Sequence, residues 1–242
     1  MIDTHCHIDL YKNPQEILKE CRGNGTIVLS MTNLPTHFEM GFPFFKSQNK
    51  IRQALGMHPL YAKQHNREFP KFLMNLSKTS YIGEVGLDFS REGISTKEIQ
   101  LQTFNKILNA VAKQNKILSI HSRKAEKVVL DLLLKYDIQN AIFHWYSGNL
   151  TLIDEIISQG YYFSINIAMT KSPWGRKIIS RIPKQFILTE TDGPFIVENN
   201  SPVKPGQVHS VINYLAEEWC IPPDDVQKII ISNFFRLIKR LG

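Results

Sequence analysis

Short apolar runs rich in Ile, Val, Phe and Tyr recur along the chain. Between them lie longer stretches in which apolar residues return every three or four positions. The runs fall at 1–8 (MIDTHCHI), 26–32 (TIVLSMT), 51–57 (IRQALGM), 81–87 (YIGEVGL), 116–122 (KILSIHS), 140–146 (NAIFHWY), 161–167 (YYFSINI) and 185–191 (QFILTET). Each has the length and composition of a buried strand. The clearest helical segment is 95–115, where Ile99, Thr103, Ile107, Ala110 and Val111 keep helical spacing and Ser95 with Glu98 reads as a capping box. Two closing helices are expected at 207–219 and 224–241, after a loop at 193–206 rich in proline, glycine and asparagine. Eight strands alternating with helices, at about 30 residues per unit, predict an α/β fold: one (β/α)8 TIM-like barrel over residues 1–242. A doubly wound open sheet is the rival, but no glycine-rich phosphate turn follows the first strand.

Composition narrows this little. With 43% hydrophobic and 21% charged residues the chain reads as an ordinary globular protein. Cys6, Cys21 and Cys220 form no CxxC pair and are expected to be free thiols in a reducing compartment. The start lacks the pattern of a secretory leader, and no run of 18 apolar residues exists. A cytoplasmic protein with no membrane partner is therefore expected. The net charge of +7 suits a polyanion such as nucleic acid, and equally a plain basic surface.

Candidate chemistry enters with the histidines. On a strand, side chains alternate faces, so Asp3, His5, His7 and Asp9 share one face and Cys6 turns to the other among apolar neighbours. In such barrels the chemistry sits at the C-terminal ends of the strands. There the sequence places His5 and His7 on strand one, His58 after strand three, Glu84 on strand four, His121 on five, His144 on six and Asp192 after eight. Any one histidine is more often a hydrogen-bonded core residue. Five of the eight on one rim with two acids point instead to a divalent cation, zinc, manganese or magnesium. With groups free to bridge, two cations about 3.5–4 Å apart are expected.

The motifs DTHCHIDL (3–10), GMHP (56–59), IGEVGLDF (82–89), IHSR (120–123), HWYSG (144–148) and ETDGP (190–194), in this order from end to end, resemble the TatD family of metal-dependent deoxyribonucleases. The chain departs from the family's usual His-Cys-Phe-Ser-Gly and Glu-Thr-Asp-Ala-Pro at Trp145, Tyr146 and Gly193, keeping the histidine and aspartate. Trp145 and the short chain also resemble the TatD-type nuclease of the Qat anti-phage defence cassette (QatD-like), which implies companion cassette proteins as partners.

The resemblance implies a two- or three-metal centre. His5, His7, Glu84 and Asp192 would hold one cation, and Glu84 would bridge to a second held by His121 and His144. Asp192 would orient or deprotonate the attacking water, with Glu190 supporting it from behind. His58 and Arg123 are candidates for gripping phosphate. One of Trp145 and Tyr146 would stack on an unpaired base while the other packs inward. Lys171, Arg176 and Lys177 are candidates for tracking the backbone. The implied activity is a 3′-to-5′ exonuclease on single-stranded DNA ends. Barrel amidases and deaminases that share the HxH often bridge their metals with a carboxylated lysine, where this chain has Glu84, which favours phosphoesters. The alternatives are hydrolysis of a small phosphoester or amide, and a nucleic-acid-binding subunit with little turnover.

Overall fold

Runs that are apolar on both faces need cover on both sides, which a ring of helices around a parallel barrel provides. The computed structural model describes residues 1–242. Its strands are β1 (Ile2–Cys6), β2 (Ile27–Ser30), β3 (Ile51–Gln53), β4 (Leu55–Met57), β5 (Tyr81–Gly86), β6 (Ile117–His121), β7 (Ala141–His144), β8 (Tyr162–Ile165) and β9 (Ile187–Thr189). Successive strands pair in parallel, β1 to β3 in one ladder and β4 to β9 in another. β3 and β4 are one barrel position broken at Ala54, the first half paired with β2 and the second with β5. The ring closes between the chain's first and last strands: Thr4 Oγ1 donates to the Thr189 carbonyl at 3.1 Å, and Asp192 N to the His5 carbonyl at 2.9 Å. The result is an α/β barrel of eight strand positions.

The outer layer comprises α1 (Pro14–Gly23), α2 (Pro35–Phe45), α3 (His65–Asn75), α4 (Lys97–Val111), α5 (Glu126–Lys135), α6 (Leu150–Ser158), α7 (Ile167–Lys171), α8 (Pro173–Arg181), α9 (His209–Trp219) and α10 (Pro223–Ile238). One apolar cluster of 49 residues fills the barrel and the space under most of these helices. A smaller one joins α1 to β1 and β2 and includes Cys6, whose thiol faces the Leu29 carbonyl. Cys6 is thus a wall residue.

Several boundaries differ from the expected ones. β1 ends at Cys6, and Ile8–Leu10 form a 3-10 turn. The segment 95–115 begins with a 3-10 turn, Ile94–Thr96, so α4 starts two residues late. Its N-cap is Thr96, whose hydroxyl donates to the Gly93 carbonyl, and Ser95 and Glu98 form no capping box. The buried stripe of α4 is centred on Gln100, Thr103, Phe104, Ile107, Leu108 and Val111. The loop 193–206 carries a small hairpin, β10 (Val197–Glu198) with β11 (Ser201–Pro202). No helix is long and apolar enough to cross a membrane.

Candidate metal centre

Glu84, near the end of β5, lies at the middle of the barrel mouth and is 3% exposed. Five imidazoles converge on it. Its Oε1 lies 2.6 Å from His121 Nδ1, 3.0 Å from His144 Nε2 and 3.1 Å from His58 Nε2. Its Oε2 lies 3.2 Å from His7 Nε2 and 3.5 Å from His5 Nε2. Asp192 Oδ1 stands 3.7 Å from His5 Nε2 and 3.9 Å from His7 Nε2. The His5 and His144 rings are stacked, their centroids 3.8 Å apart.

Local backbone sets these positions. Gly86 sits at φ +142°, and a Cβ there would come within 1.9 Å of the His121 carbonyl, so only glycine lets β5 and β6 approach this closely. At Gly56 a Cβ would lie 1.6 Å from the Thr32 carbonyl, which bonds to the Glu84 amide at 3.1 Å. Asp192 is itself left-handed (φ +47°), which turns its carboxylate off the strand and toward the mouth.

This constellation over-fills the hydrogen-bonding capacity of one carboxylate. A neutral imidazole brings one N–H, and His5 Nε2 and His7 Nε2 also face each other at 3.3 Å. His7 Nδ1, His144 Nδ1 and Asp192 Oδ1 are buried without a hydrogen-bond partner. Three groups, His5–His7–Glu84, His5–His144–Asp192 and His58–Glu84–His121, each bring three ligand atoms within 4.8 Å of one another. Nitrogen and carboxylate donors converging in this way fit divalent cations. The charge pattern agrees. Burial pushes the Glu84 carboxyl up, but the imidazoles of His58 and His144 outweigh it and hold it well below the usual range. At Asp192 burial prevails over His144 and His7 and raises the carboxyl to about 7. At His144 the Glu84 and Glu190 carboxylates overcome burial and hold the ring well above its usual value.

The structure brings His5, His7, His58, Glu84, His121, His144 and Asp192 together. Glu190 touches the back of His144, its Oε1 3.5 Å from Nδ1, while accepting hydrogen bonds from Ser164, Asn166 and the Trp145 amide. A cavity of about 560 Å³ opens over the centre, with Asn33, Tyr61, Arg123, Trp145 and Phe195 among its walls. Of the two aromatic candidates, Tyr146 is the one that packs inward and is removed as a substrate contact: it is 1% exposed, packs against Phe143 and Phe163, and donates its hydroxyl to the Asn149 carbonyl. Trp145 at φ +38° ends the alternation and sends Tyr146 into the core. Two of the expected backbone-tracking residues are engaged elsewhere. Lys171 pairs with Glu198, and Arg176 donates to the Thr170 carbonyl and lies over the Tyr214 ring. His58 lies nearer the carboxylate than a contact with substrate alone requires.

Sequence reasoning passed over Asp88 and Ser119. Asp88 Oδ2 bonds His121 Nε2 at 2.8 Å, and Ser119 Oγ bonds His5 Nδ1 at 2.7 Å, each fixing a ring by its far nitrogen. Asp88 had a signal, lying four residues after Glu84 in the motif IGEVGLDF. Ser119 had none beyond its place two residues before His121.

Residues 2–239 match the family model described as TatD related DNase. An uncharacterized metal-dependent hydrolase of Methanocaldococcus jannaschii is 27% identical over 99% of this chain and 97% of its own length. The deoxyribonuclease TATDN3 of Homo sapiens is 24% identical, with 100% of this chain and 95% of that protein covered. Among solved structures, a TatD homologue from Escherichia coli K12 superposes with a TM-score of 0.87 at 22% identity, covering 98% of this chain and 97% of the other.

Proposed function

Starting from the fact that this chain belongs to the TatD-related DNase family and is a metal-dependent hydrolase, we propose that it hydrolyses DNA phosphodiester bonds, from the 3′ end of single strands. The observation that carries the reading is the buried Glu84 carboxylate ringed by five imidazoles on the floor of an open cavity. His5, His7, Glu84 and Asp192 would hold one cation, and Glu84, His121 and His144, with His58 in reach, a second. Magnesium, manganese or zinc there would supply hydroxide near neutral pH and offset charge at phosphorus. Asp192, at the mouth, would orient the attacking water or take its proton. Ser119 and Asp88 hold the rings of His5 and His121 at their far nitrogens, and Glu190 faces His144 Nδ1 at 3.5 Å, so the donors need not reorganise during the reaction. Arg123, on the cavity wall and more than half exposed, grips a phosphate by its guanidinium fork. Trp145, beside it and 38% exposed, offers a ring to an unpaired base.

Polarity and strand preference follow from the family resemblance. The DNA substrate is favoured by the net charge of +7 and by the relative named as a deoxyribonuclease. A role in anti-phage defence, with companion cassette proteins, is the narrower reading suggested by Trp145 and the short chain.

The test uses single-stranded DNA labelled at either end, incubated with magnesium, manganese or zinc. Stepwise shortening of the 5′-labelled strand is expected, abolished by chelator and by Glu84→Ala or Asp192→Asn. Intact DNA under every metal, with cations bound, would remove DNA from the proposal and turn the search to small phosphoesters and amides. DNA that only shifts in a gel would favour a binding subunit.

A further inference from the structure

The cavity over the metal centre does not end at Arg123. Arg123 and Ser147 also line a second, shallower cleft of about 550 Å³, whose other walls include Lys124, Glu126 and Trp174. The two spaces therefore adjoin at Arg123 and Ser147. Trp174, second residue of α8, is 45% exposed, yet its ring is not loose. Its Nε1 donates to the Ser147 carbonyl at 3.1 Å, which pins one edge and leaves the rest of the indole in the cleft. A ring held by its edge with its surface open to water is pre-organised for stacking.

The charges around it are available. Neither Lys124 nor Lys177, three residues along α8 from Trp174, has a carboxylate within 4.0 Å, whereas Lys127, Lys171 and Arg181 are all paired. Arg123 faces only Glu92 at 3.5 Å, and both side chains are more than half exposed, so a phosphate can displace that contact at little cost. The one acid lining the cleft, Glu126, accepts the Lys124 amide at 3.2 Å and is thereby turned toward its own backbone. Between them the two spaces are lined by two indoles, a guanidinium and an ammonium: Trp145 and Arg123 in the one, Arg123, Trp174 and Lys124 in the other. Single-stranded nucleic acid presents the complementary series of base and phosphate, and only an unpaired base offers a face to an indole.

We infer that Trp174 is a stacking platform for a base of the single strand as it leaves the metal centre, with Arg123 on the intervening phosphate. This rests on the nuclease reading above, but its test does not depend on turnover. Oligothymidylates of increasing length are titrated in chelator, with intrinsic tryptophan fluorescence and anisotropy of an end label as readouts. For the wild type, affinity rises with length and then levels once a base reaches Trp174, and that step quenches fluorescence. Trp174→Ala removes the step, weakening the longer strands about 5- to 150-fold, the span of one base–aromatic contact. Trp174→Phe keeps most of the affinity and loses the quenching, which a merely structural tryptophan would not do. Equal affinity of wild type and Trp174→Ala at every length overturns the inference. So does a Trp174→Phe variant as weak as Trp174→Ala, or a wild type that binds no strand. A wild type that binds in this pattern but cleaves no DNA under any metal refutes the proposed function alone.

Discussion

Asp3 is the sharpest place to separate bracing from binding. By alternation it shares a face with His5 and His7, yet its carboxylate turns away from the centre. It accepts hydrogen bonds from Thr191 N at 3.1 Å, Thr191 Oγ1 at 2.6 Å and Gly206 N at 2.8 Å, with a longer one from His5 N at 3.3 Å, and it is fully buried. Thr191 precedes Asp192, so Asp3 fixes the backbone that aims the Asp192 carboxylate at the mouth. Asp3→Ala leaves the Thr191 and Gly206 amides buried without an acceptor. At about 1–3 kcal/mol for each orphaned donor, the loss is about 2–6 kcal/mol. For a chain of this length that lowers Tm by about 5–20 °C. Asp3→Asn keeps one oxygen and presents an NH2 in place of the other. The Thr191 hydroxyl can rotate to accept from it, whereas the Gly206 amide cannot. Roughly half the loss, about 1–3 kcal/mol, is expected. Circular dichroism melts give Tm, and metal analysis of the same samples gives stoichiometry. Bracing predicts a lowered Tm with unchanged metal content in Asp3→Asn and reduced turnover in both variants. An Asp3→Ala protein melting within about 2 °C of the wild type would refute the reasoning. So would loss of one metal equivalent from an otherwise stable Asp3→Asn, which would make Asp3 a ligand.

Adding a fitting cation at a hundred times its dissociation constant should stabilise the wild type by about 2.7 kcal/mol, read as a Tm rise that Glu84→Ala loses. Gly86→Ala must displace the His121 carbonyl, so it should lose activity and metal affinity together, as measured by assay and metal titration of the purified variant. Tyr146→Phe should cost about 1 kcal/mol in a denaturant melt, through the lost bond to Asn149, with DNA cleavage little changed. His65, inside the wall behind His58, is lowered to about 4 by burial, which outweighs its bond to the His58 carbonyl. The unfolded state therefore binds more protons between pH 6.5 and 4. The stability held above 6.5 falls by about 3 kcal/mol as pH drops through that window. Urea melts of wild type and His65→Asn across it should show a smaller slope in the variant.

The rhythm of the fold was readable because both strands and helices bury long apolar stretches. Most of the site was readable because barrel strands aim their C-terminal ends at one place. What escaped were features set by residues distant in sequence. Which of Trp145 and Tyr146 faces the site was not readable because alternation stops at Trp145, whose backbone is left-handed and whose amide bonds Glu190, just after β9. The capping box at Ser95 failed because a 3-10 turn, held by Gln100 bonding the Gly93 carbonyl and the Thr96 hydroxyl, moves the helix start. Ser119 and Asp88 gain meaning only once β1, β5 and β6 stand side by side.

The seam between β1 and β9 has a consequence for how the protein comes into being. His5 and His7 are made well before Asp192. Because the His5 carbonyl and the Asp192 amide form part of the seam, Asp192 joins the other donors only when β9 docks beside β1. During synthesis the earlier donors, Glu84 included, therefore stand without Asp192, and full affinity for cations comes with the closing of the ring. A ribosome-bound chain that has not yet reached β9 would be a poor scavenger of metal. Competence to hold the full cation set is switched on by the closing of the barrel itself.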